Sequence, residues 1–110
     1  MNSKPIESDW KQFRSMVDTL RERYLEETNQ RLRDSLLNPT KTPTERFWDT
    51  HEEIREEARV LTDCLDKHSR SKMYEAMVLM LHHGMMTEDD LEVFSEDLQE
   101  KLIIHLRNWL

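Results

Sequence analysis

Apolar residues recur every three or four positions in four runs along the chain, separated by polar breaks. The first run is Trp10, Phe13, Val17, Leu20 and Tyr24, which fall on one face of a helix. That helix is expected to begin near Ser8, whose hydroxyl suits an N-cap, with Asp9 in the first turn, where a negative charge suits the helix dipole; an earlier start at Pro5 is the alternative, since proline suits the first helical position. The stripe lapses over residues 26–31, which predicts either an exposed stretch or a bend, and resumes at Leu32, Leu36 and Leu37. Residues 38–43 read as a linker, because Pro39 and Pro43 cannot sit inside a helix.

Thr42, Pro43 and Glu45 announce the second helix: a capping threonine, a proline at the first helical position and the acid of a capping box. Phe47, His51, Ile54, Ala58, Leu61 and Leu65 then step by four and three, a heptad stripe suited to pairing with another long helix. The helix should run to about Asp66. A polar turn at 67–72 follows, where Ser69 or Ser71 is expected to cap a third helix carrying Met73, Met77, Met80 and Leu81. Gly84 is the only glycine. It predicts a left-handed residue that stops this helix, with Met85 folding back onto Met80. Thr87 should cap a fourth helix with Asp90 as its reciprocal partner, and Met86 and Leu91 should form a hydrophobic staple. Leu91, Phe94, Leu98, Leu102, Leu106 and Trp109 line that helix to the C-terminus.

These runs predict an all-α chain: an antiparallel bundle of about four helices, the first two long, the last two joined by a short glycine-containing connection. We expect one domain over 1–110, with residues 1–7 disordered. Composition adds a constraint. The 110 residues are 36% hydrophobic and 35% charged, which leaves one chain little core of its own. A homodimer is expected, because the heptad stripe and the C-terminal Leu106, Trp109 and Leu110 need cover. The net charge is −7, and residues 73–100 hold eight acids and no Lys or Arg, which disfavours nucleic-acid binding. The chain has one cysteine, no apolar leader at its N-terminus and no run long enough to span a bilayer. A cytoplasmic protein with no membrane association is expected.

Candidate chemistry is sparse. None of the five histidines follows a glutamate by three residues, so the di-iron bundle motif is missing. Cys64 and His68 have helical ligand spacing and are weak metal candidates, since zinc takes four ligands. His82 and His83 sit where a helix C-terminus favours cations. Glu53 and Glu56 supply half of a paired-carboxylate magnesium set, and the third helix lacks the other half. Ser69, Arg70, Ser71 and Lys72 precede a helix and are the candidate anion site. No cofactor is expected.

The reading favoured by these patterns is a non-enzymatic interaction or regulatory module. Its expected partner-binding residues are Met73, Met77, Met85 and Met86, whose side chains adapt to partners, and Glu92, Glu96 and Glu100, which suit a basic protein partner. The alternatives are a small-anion or nucleotide-binding protein using Arg70 and Lys72, and a metal protein using Cys64 and His68.

Overall fold

A computed structural model describes residues 6–66 and 69–109, the Trp109 side chain aside. Every regular element among them is helical, and the protein is all-α. Helix α1 spans Glu7–Leu36, α2 Pro43–Leu65, α3 Met73–His83 and α4 Glu96–Trp109. Short 3-10 segments at Arg70–Lys72 and Glu88–Val93 lead into α3 and α4. Helices α1 and α2 pack as an antiparallel pair, and the molecule measures 54 × 26 × 22 Å. No described helix is long and apolar enough to cross a membrane.

Helix α1 starts earlier than its serine suggests. Its N-cap is Ile6, and Ser8 lies inside the first turn, where it caps nothing. Glu7 belongs to the helix, contrary to the expected disorder there; residues 1–5, where the rest of that expectation falls, lie outside the described residues. Helix α1 continues unbroken through the polar stretch at 26–31, most of which is exposed. Helix α2 opens with the expected capping box. The Thr42 Oγ1 accepts from the Glu45 N–H at 3.1 Å, and the Glu45 carboxylate accepts from the Thr42 N–H at 2.8 Å.

The core occupies one end of the hairpin. Trp10, Phe13, Val17, Leu20 and Tyr24 of α1 meet Cys64 of α2, Met73, Met77 and Met80 of α3, and Leu91, Phe94, Leu98 and Leu102 beyond. Gly84 ends α3 at φ +79°, and the Met85 N–H reaches back to the Met80 carbonyl at 2.9 Å. Neither Ser69 nor Ser71 caps by its side chain; Ser69 precedes the 3-10 turn, and their hydroxyls stand 3.4 Å apart.

The predicted fourth helix breaks in two. Residues 88–93 wind as 3-10, Phe94 is extended, and α4 begins at Glu96 behind Ser95, whose hydroxyl accepts from the Leu98 N–H at 3.3 Å. The cause lies on α1. Arg23 grips the Asp90 carboxylate with both guanidinium nitrogens, at 3.0 and 2.6 Å, and donates to the Met85 carbonyl at 3.1 Å. Asp9, 4% exposed, accepts from the Ser95 N–H at 2.9 Å and from its hydroxyl at 2.6 Å. Fourteen residues of α1 separate these two pins, roughly 21 Å at 1.5 Å per residue. A continuous α-helix from Asp90 to Ser95 advances only about 8 Å. The steeper 3-10 rise and the extended Phe94 lengthen the segment to roughly 12 Å, and the reach of the Arg23 side chain makes up the rest.

Candidate functional site

The residues expected to meet a partner divide into two groups. Met73 is 1% exposed, Met77 and Met85 are 0% and Met86 is 1%, so all four are core and offer nothing to a partner in this fold. Their clustering in sequence reflects a core that closes around the α3 terminus, where unbranched side chains fill irregular gaps. Glu92, Glu96 and Glu100 are exposed. Glu96, Glu100 and Ile104 follow one another at four-residue steps on α4, so the exposed Ile104 lies beside the acids.

In the basic turn the hydroxyls of Ser69 and Ser71 stand 3.4 Å apart. Arg70 pairs with Glu7 at 2.8 Å. Lys72 ends the 3-10 turn, and α3 starts behind it with no side-chain cap. Cys64 is wholly buried, and burial pushes its thiol up to about 11, so it is held protonated and unreactive at neutral pH. His68, its proposed co-ligand, lies outside the described residues, and among the described residues no group of three His, Cys, Asp or Glu is placed to hold a metal ion.

A polar cleft of about 440 Å³ lies where α3 ends against the hairpin, lined by Tyr24, Glu27, Arg31, Glu57, Val60, His82, His83 and Gly84. Sequence reading did not find it, because its members come from three helices. The Tyr24 hydroxyl donates a short hydrogen bond to Glu57. Arg31 stands 3.6 Å from the same carboxylate and donates to the Thr28 hydroxyl at 3.0 Å. Burial, then the bond to Glu57, push the Tyr24 phenol up to about 12. At neutral pH it is a donor and not a base. The rings of His82 and His83 meet edge to face at 5.2 Å. The cleft can hydrogen-bond a polar group, and nothing in it is an activated nucleophile.

The distal hairpin carries the more unusual surface. Between α1 and α2 the buried groups are polar: Thr28 at 2% exposure and Thr50 at 4%. The Thr50 hydroxyl has no hydrogen-bond partner among the described residues. Large apolar side chains face outward instead. Leu36, Leu37, Phe47, Trp48 and Ile54 are each about half exposed or more, Trp48 at 59%. Phe47 and Trp48 stack edge to face at 4.9 Å, and His51 extends the group at 5.6 Å from Trp48. The predicted heptad stripe on α2 therefore exists, but it is covered only at its C-terminal end, where Leu61 and Leu65 pack on the core. The end of α3 lies against the other face of the hairpin, where His82 and His83 meet Tyr24, Arg31 and Val60. No known family model, curated protein or solved structure matches the chain.

Proposed function

We propose that the protein is a non-enzymatic interaction module whose docking element is the distal α1–α2 hairpin. The observation that carries this reading is the apolar group Leu36, Leu37, Phe47, Trp48 and Ile54, exposed on a hairpin whose inner seam is polar. Monomeric soluble proteins seldom expose contiguous patches beyond a few hundred Å², and larger ones mark interaction sites. Trp and Phe are also the side chains that dominate the energetics of interfaces. The exposed Glu92, Glu96 and Glu100 fit a second contact with a basic protein segment. A single buried free thiol suits a reducing, cytoplasmic setting.

The test places a photo-reactive side chain at position 48 of the full chain and identifies what it captures. A protein adduct that disappears in the Phe47→Glu, Ile54→Glu variant is the expected result. Absence of any protein adduct at that position overturns the reading. Reversing Glu92, Glu96 and Glu100 to lysine should weaken capture of a basic partner; unaltered capture removes the acidic face from the proposal.

A further inference from the structure

We infer that the occupant of the hairpin face is a second copy of this chain, and that two hairpins pack face to face as a four-helix bundle. This rests on the hairpin being the docking element. It adds the identity of the partner and the geometry of the pair.

The face can be laid out by helical rotation. Thr28 and Thr50 mark where α1 and α2 meet. At about 100° per residue, Leu25, Leu32 and Leu36 lie roughly 40–80° to one side of Thr28. Phe47, Ile54 and Ala58 lie roughly 40–80° from Thr50 in the same rotational sense. Because the helices are antiparallel, equal senses of rotation fall on one face of the hairpin. Tyr24, Arg31 and Val60, which line the cleft beside α3, rotate the other way. One face of the hairpin therefore holds the core and α3. The opposite face is an apolar groove lined by leucines from α1 and by Phe47, Ile54 and Ala58 of α2, and no other described element covers its distal half.

Charge fits a copy of the same surface. On the groove itself Phe47 is 57% exposed and Leu36 and Ile54 are about half exposed, while Trp48 and Leu37 lie about 160–180° from Thr50 and Thr28, on the outer side of their helices.

The rims of the groove differ in sign. Asp18, Glu22 and Glu26 lie along the outer edge of α1, and His51, Arg55 and Arg59 along that of α2. With the two-fold axis along the hairpin, each copy's α1 lies over the other's α2. The Tyr24–Glu57 and Arg31–Glu57 contacts set the register of the two helices within a hairpin. Taking Tyr24 and Glu57 as level brings Glu22 level with Arg59, and Glu26 level with Arg55. Present pairings such as Arg55–Glu52 at 3.1 Å join exposed groups, so little is lost if they exchange. The cores lie on the outer sides of such a pair and do not obstruct it.

The purified chain is weighed by native mass spectrometry and by light scattering after gel filtration, at tens of micromolar. The expected species has twice the 13.4 kDa chain mass. Phe47→Glu with Ile54→Glu should give the monomer with unchanged far-ultraviolet circular dichroism, since both side chains are exposed. As a second arm, Glu22→Arg with Glu26→Arg should weaken the dimer at least tenfold, and adding Arg55→Glu with Arg59→Glu should restore it. A monomeric wild-type chain overturns the inference, as does a dimer indifferent to both sets of variants. A monomer that still yields a hairpin adduct to a different protein overturns this inference alone. A monomer with no adduct overturns the proposed function as well.

Discussion

Arg23 and Asp90 join α1 to the turn after α3, and removing either should weaken the fold measurably. Asp90 accepts four hydrogen bonds: two from Arg23, one from the Thr87 N–H at 2.7 Å and one from the Thr87 hydroxyl at 3.0 Å. Hydrogen bonds to charged groups contribute about 1.5–3 kcal/mol. The Arg23 side chain is 42% exposed and screened by water, so the pair is assigned about 1–1.5 kcal/mol. Asp90→Ala also removes the cap on Thr87, about 1 kcal/mol more. The expected losses are about 1–1.5 kcal/mol for Arg23→Ala and about 2–2.5 for Asp90→Ala, with a coupling of about 1 kcal/mol in the double-mutant cycle. Urea melts at one fixed chain concentration measure all three. The pH dependence gives an independent check. Arg23, and then the Thr87 donors, hold the Asp90 carboxyl below its ordinary range. Its folded value lies under its unfolded value of about 3.9, so the stabilisation is complete above that pH and is lost as pH falls through the folded value. Asp90→Asn should flatten that acid limb. A coupling below about 0.3 kcal/mol together with an unchanged acid limb would refute the clamp.

Other substitutions probe separate features. Gly84→Ala should cost about 1–2 kcal/mol through backbone conformation alone, because an added Cβ meets nothing within 4 Å; a chemical melt reads this directly. Thr50→Val should stabilise by about 1 kcal/mol, since it replaces an unpartnered buried hydroxyl with a methyl group, and a loss of stability would show that the hydroxyl is satisfied. Cys64 should resist a thiol reagent in native buffer and react stoichiometrically in denaturant; rapid native labelling would contradict its burial.

Much of the fold is legible in short stretches of sequence. The Thr42–Glu45 box, the Gly84 stop and the stripe from Trp10 to Tyr24 each depend on residues within one or two turns, so local pattern is sufficient. The break between residues 93 and 96 is not local. It follows from Arg23 and Asp9, which lie 67 and 86 positions from their partners, and the apolar stripe alone reads as one continuous helix. The heptad stripe on α2 shows the same limit in another form. Periodicity identifies an apolar face, but whether a neighbour covers it depends on which face of the hairpin α3 packs against. The Met-rich stretch misled for a related reason: flexible apolar side chains serve a core and a binding face equally well, and only burial separates the two uses.

The Asp9–Ser95 pin bears on the order in which the chain can finish folding. Synthesis delivers α1 long before Ser95 exists, at about 5–20 residues per second. Until then Trp10, Phe13, Val17 and Leu20 have α2 and α3 for company but lack Leu98 and Leu102, which complete the core. A nascent chain halted before Ser95 therefore presents an apolar stripe with incomplete cover and a buried-type carboxylate without its donors. Completion of the core is a late event set by the last segment to emerge, and premature termination there should yield a species that binds chaperones or aggregates.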